Sequence, residues 1–180
     1  MAEVDGSVIT ASDVALARAL SLLGLQPSVE PIRSGDIERM VDAWLEAREA
    51  ARLRLEITPD EAGEAWRAAA SRLGGEAALA RWLEDSGIDE AWARRAVDAD
   101  LRRRRFIDVR FRAFAFASED QISEALGQGT HSGEARDRMR AVLVQDAVDR
   151  ELSAWLEDAR SRSRIWRQAV PPEGIPVPFP

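Results

Sequence analysis

The sequence predicts a mainly α-helical domain carrying a small β-sheet, on three observations: long stretches with apolar residues at helical spacing, N-cap motifs at most helix starts, and short β-branched or alternating segments near both chain ends. Over 180 residues, 46% are hydrophobic and 32% charged, a balance that excludes a disordered chain and suffices for one well-buried core. No run approaches the roughly 20 apolar residues of a membrane span. The net charge of −7, with all 25 basic residues arginine, disfavours general attraction to nucleic acid or anionic lipid.

Val4-Asp5-Gly6-Ser7-Val8-Ile9-Thr10 places a turn-forming Asp-Gly between β-branched residues and predicts a short strand or tight hairpin over 4–9. Ser12 is the expected cap of a helix through Leu16, Leu20 and Leu23, stopped by Gly24. Residues 26–33, with two prolines, read as a loop. Ser34 then opens a long helix with Ile37, Met40, Val41, Trp44 and Leu45 on one stripe. Arg48 on that stripe is expected to lay its stem over apolar surface.

Thr58-Pro59-Asp60-Glu61 is a capping box with proline in the first turn, and Trp66, Ala69 and Leu73 follow on one face. Gly74-Gly75 breaks that helix. Leu79, Trp82 and Leu83 mark a short one ending near Gly87, and Asp89 caps the next, with Trp92, Ala96, Val97 and Leu101. From Ile107 to Phe116 apolar and polar residues alternate, which predicts a half-buried central strand. Ser118 caps a short helix through Leu126, and a Gly-rich loop covers 127–133. Residues 134 to about 160 form the last long helix, and 163–168 a closing strand. The Pro-rich end, 169–180, cannot be helical and favours an extended, polyproline-like form.

Candidate chemistry is sparse. The chain lacks cysteine, so thiolate catalysis, disulfides and thiolate metal sites are excluded. Its one histidine, His131, lies in the Gly-rich loop, where no partner positions it as a base. One His and no Cys cannot build a zinc site, and neither a calcium loop nor a phosphate-binding Gly motif is present. Neither a cofactor nor catalysis is expected. Carboxylates such as Asp42 and Glu46, beside Arg39 and Arg48, read as solvated ion pairs on a helix face. The segment from Arg94 to Arg112 carries eight Arg against three Asp, and Arg102-Arg103-Arg104-Arg105 could contact phosphates. Four consecutive residues spread around a helix, however, and interleaved aromatic residues for base stacking are lacking.

The order of these elements resembles the SurA-type chaperone family. Val4 to Val14 is similar to the family's opening strand and first helix. The long helix from Ile37, followed by Leu55-Glu56-Ile57-Thr58-Pro59-Asp60-Glu61, is similar to its long helix and junction. Residues 106–112 resemble its central strand, and 136–165 its returning helix and closing strand. The resemblance implies a helical chaperone core over residues 1–168: an N-terminal region over 1–126, a returning helix and strand over 134–168, and a Pro-rich tail over 169–180. In that fold, strands near 4–9, 107–116 and 163–168 would form one sheet joining both chain ends, with helices around a concave face. Relatives commonly insert parvulin-type prolyl isomerase domains where this chain has only residues 127–133, so isomerase activity is not implied.

The function implied is ATP-independent holding of unfolded or partly folded polypeptide, including outer-membrane or secreted proteins. The implied location is the periplasm, with a signal or lipid-anchor segment expected outside this chain. Trp66, Trp82 and Trp92 are the candidate peptide-binding residues, each also explicable as core. The alternative is a dedicated assembly partner that binds one protein, using the Pro-rich tail as an extended ligand. Nucleic-acid binding through the Arg94 to Arg112 segment is the third reading.

Overall fold

The computed structural model describes every residue except Gln128, Phe179 and Pro180; the expectations for the 127–133 loop and the tail at those three positions lie outside the described residues. Two strands open the chain, β1 (Ala2–Val4) and β2 (Ser7–Ile9), joined by a turn in which Asp5 and Gly6 both take positive φ, 49° and 90°. That left-handed pair is what an Asp-Gly hairpin requires. Helices follow: α1 (Ala11–Ala19), α2 (Ser34–Arg52), α3 (Pro59–Arg72), α4 (Glu76–Ser86), α5 (Glu90–Arg110), α6 (Glu119–Leu126) and α7 (Gly133–Ser161), and then β3 (Ile165–Arg167).

The sheet has the order β2-β1-β3, antiparallel throughout, with Glu3 opposite both Val8 and Trp166. Ala2, Val4 and Ile9 point into the core while Val8 and Trp166 face outward, as the two-residue period of strands demands. The sheet thus ties both chain ends together. The turn is held a second time: the Asp5 carboxylate accepts from the Arg164 backbone N–H at 2.8 Å and pairs with Arg48. The Arg164 amide, followed by Arg48, holds the Asp5 carboxyl below the usual range. Arg48 also lies 5.0 Å from the Trp44 ring centroid, so its stem covers apolar surface as expected.

The central strand is a correction. Residues 107–110 complete α5, and Arg112–Phe114 form a single 3₁₀ turn. The helix launched at Asp89 runs on through four arginines, all good helix formers, and the sheet pairs as β2-β1-β3 without this segment. The alternation buries no face: Val109 is 52% exposed, while Phe106 and Phe111, five residues apart, are the ones turned inward. A smaller correction applies to α1, whose cap is Thr10, not Ser12. Thr10 and Asp13 exchange hydrogen bonds as a capping box. The helix also ends at Ala19, before Gly24.

Two apolar clusters result. The larger gathers the sheet, α1 to α5 and Ala159 of α7; the smaller contains Ala50, Phe106, Phe111 and Val148. Trp155 bridges them, its ring 5.0 Å from Phe106 and 6.3 Å from Phe111, distances typical of aromatic packing. The Pro-rich end lies against the body, where Ile175 bridges Ile32.

The largest helix–helix contact, α2 on α5, encloses charge. Arg103 donates to Glu46 at 2.9 Å and to Asp100 at 3.2 Å, and both carboxylates are almost wholly buried. Asp100 also pairs with Arg104 at 3.0 Å and accepts the Leu23 backbone N–H at 3.1 Å. Glu46 is therefore a buried partner of α5, a correction to the solvated pair expected from its neighbours in sequence. Asp42 pairs instead with Arg160 of α7 at 2.6 Å.

Burial pushes the Glu46 carboxyl above the usual range, and the Arg103 charge pulls it back. Arg103→Ala removes that pull, so the folded chain binds the Glu46 proton more tightly than the unfolded chain does. The resulting penalty is present above the folded pKa and relieved as pH falls through it. Denaturant titrations of Arg103→Ala are expected to show a loss of about 3–5 kcal/mol at neutral pH. Part of that loss should be recovered on acidification toward about pH 5, and an equal loss at both values would contradict the buried-charge account.

Candidate polypeptide-binding groove

The end of α5 decides where the site forms. After Phe111 the backbone leaves the helix, and the 3₁₀ turn throws two rings outward: Phe114 is 75% and Phe116 79% exposed. Both stand beside α7, whose Ala147, Glu151, Ala154, Trp155 and Asp158 recur at three- and four-residue steps and so share one face. Together with Arg110, Phe111 and Ala115 these residues enclose a groove of about 510 Å³. The floor is rigid, since Phe111 meets Phe106 edge to face at 5.5 Å and Trp155 rests on both. The alanines of α7 keep the opposite wall low, which leaves room for an incoming side chain between helix and phenylalanines.

The rim is charged in both senses. Asp158 pairs with Arg162, and the Arg110 guanidinium lies 5.8 Å from the Phe111 ring centroid. Elsewhere on α5 and α7, Val109 and Val142 are each 52% exposed. Large side chains left in water carry a standing cost that covering them would remove, about 25 cal/mol per Å² of apolar area, and exposed apolar patches with polar rims commonly mark interaction surfaces.

The three tryptophans expected at a binding surface are placed apart. Trp66 is 7% exposed, with the Arg94 guanidinium 4.1 Å from its ring centroid; it is a core residue under a cation. Trp92 is half-buried in the first turn of α5 and packs on the main core. Trp82, also half-buried, borders a separate hollow with Leu73, Val29 and Val177. Trp66 borders a hollow with Pro59, Ala62 and Arg94. Phe114 and Phe116 are concealed in the sequence by the alternation over 107–116 that predicts a strand.

The arginine run is largely engaged within the fold. Arg103 and Arg104 hold Asp100 and Glu46, and Arg105 pairs with Glu61 and donates to the Glu56 carbonyl. His131 lies 3.3 Å from the Gly127 carbonyl. Among the described residues no cluster of His, Asp and Glu is arranged to hold a metal ion, and no helix is long and apolar enough to cross a membrane.

No family model, curated protein or solved structure matches the chain. The likeness to SurA-type cores therefore rests on the sequence motifs and on the element order without the central strand, whose place is taken by the end of α5 and a 3₁₀ turn.

The two kinds of phenylalanine should separate in stability measurements. Phe106→Ala, which opens a cavity between α5 and α7, is expected to cost about 3–5 kcal/mol. Phe114→Ser and Phe116→Ser should stay within about 0.5 kcal/mol of the parent chain. Urea midpoints read both, and a large loss at Phe114 or Phe116 would mean that these rings support the fold.

Proposed function

We propose that this chain holds unfolded or partly folded polypeptide without ATP and without catalysis, by covering apolar segments at the Phe114–Phe116 groove. The observation that carries the reading is the pair of phenylalanines, more than three-quarters and three-quarters exposed respectively at Phe116 and Phe114, standing over a floor of packed aromatic residues. A rigid apolar hollow with a mixed-charge rim fits many sequences weakly, because it offers burial without a fixed hydrogen-bond pattern. The resemblance to SurA-type cores points the same way and is the basis for proposing a periplasmic setting and outer-membrane or secreted clients.

The nucleic-acid reading is weakened by the arginine run itself. Three of its four guanidiniums engage carboxylates of this chain, Arg103 of them largely buried, and a phosphate would have to displace those partners. A dedicated single-protein partner would use the same groove and is distinguished by experiment.

The test is suppression of aggregation of a thermally unfolded client, with no nucleotide present, by the full chain and by a Phe114→Ser/Phe116→Ser double variant. The parent chain should protect, and the variant's apparent affinity should fall about tenfold or more, equivalent to about 1.4 kcal/mol. Protection unaffected by the double substitution would remove the groove from the account. Failure to protect any client, together with stoichiometric capture of one protein, would favour the dedicated partner.

A further inference from the structure

The Pro-rich segment after β3 is seated as a bound peptide would be. Ile175 and Ile32 exchange two backbone hydrogen bonds, 2.7 and 3.0 Å long, and the Arg33 guanidinium donates to the Pro172 carbonyl. Ile175 and Val177 pack on the core, and Val177 enters a hollow bordered by Trp82, Leu73, Val29 and Ala15. Pro176 between them is exposed. This is the side-chain alternation of an extended chain, held by prolines that lower the entropy cost of being extended.

The seat is close in one place and loose in another. At Gly174, φ +85°, an added Cβ would lie 2.6 Å from the Pro31 Cβ and 3.0 Å from the Ile32 carbonyl oxygen. Elsewhere a cleft of about 890 Å³ runs between the segment and Met1, Ala11, Val29 and Pro31. Among the described residues the segment is held by one two-bond bridge, one guanidinium, two aliphatic side chains and the close seat of Gly174 on Pro31.

We infer that the Ile32 backbone and the hollow beside Trp82 form a binding site for extended polypeptide of the pattern aliphatic-Pro-aliphatic. Residues 171–177 occupy it in cis, and a partner segment of the same chemistry binds there in their place. Recognition combines pairing along a short backbone edge with side-chain pockets at alternate positions. A tethered occupant acts at an effective concentration in the millimolar range, so an incoming segment meets a site open only for the fraction of time the tail is released. The site is distinct from the Phe114–Phe116 groove and stands independently of the chaperone reading.

The experiment uses the full chain and a labelled synthetic peptide with the sequence of residues 169–178, followed by fluorescence anisotropy. Gly174→Val should displace the tail by steric conflict with Pro31, and Val177→Asp should loosen its Trp82 end without touching the Pro31 contact. Both variants are expected to bind the peptide about tenfold or more tightly than the parent chain. A peptide carrying Asp in place of the isoleucine at the position of Ile175 should not bind. The Ile32 amide should exchange faster in the variants and regain protection when peptide is added. Equal peptide binding by parent and variants, binding of the Asp peptide, or unchanged Ile32 protection in both variants would overturn the proposal. Phe114→Ser should leave peptide binding unaltered, and its loss there would overturn the claim of a separate site.

Discussion

Arg103, set between two buried carboxylates, is the interaction on which the rest of this structure depends. Glu46 comes from α2 and Asp100 from α5, so one guanidinium links the two helices that form the middle of the molecule. Asp100 also holds the Leu23 amide, fixing the turn between α1 and α2 where Ser21, Leu23 and Gly24 take positive φ. Buried charges of this kind add little net stability when fully paired, but they penalise any arrangement that separates them. An α2–α5 register shifted by one residue would leave at least one carboxylate dry and unpaired.

From that crossing the remaining placements follow. With α5 fixed, Arg105 meets Glu61 of α3, and Phe106 and Phe111 project from its last turns toward Trp155 of α7. Arg160 and Arg167, reaching Glu38 and Asp42 on α2, then bring the end of α7 and β3 back to the starting strands. The groove is a by-product of this geometry. A helix that ended at Phe111 without the 3₁₀ turn would not carry Phe114 and Phe116 out beside the alanines of α7.

The features legible in the sequence are those with local causes. Thr58, Asp89 and Ser118 cap their helices because each side chain needs only the amide three residues on, and Asp5-Gly6 makes its turn from its own backbone preferences. Gly74-Gly75 and Gly87 stop helices for the same reason. The misreadings have distant causes. Alternation over 107–116 lost to a helix already propagating from Asp89. Glu46 was read from its neighbours on α2, although its partner lies 57 residues away. Phe114 and Phe116 escape a reading by residue type because their exposure is set where the end of α5 meets α7, while Trp66 and Trp82 each border a hollow of their own.

Two surfaces emerge with different physics. The Phe114–Phe116 groove offers burial with no fixed hydrogen-bond pattern and suits variable sequence, while the Ile32 edge offers backbone pairing and already holds an extended segment. The central claim, that polypeptide is held at the first of these, is tested most directly by crosslinking from a photoreactive phenylalanine analogue placed at position 116 in the presence of an unfolded client, with sites of attachment mapped by mass spectrometry. The account predicts abundant client adducts from position 116 and few from a control analogue at Leu53, 40% exposed and outside both the groove and the Ile32 site. Equal yields from both positions, or none from position 116, would contradict it.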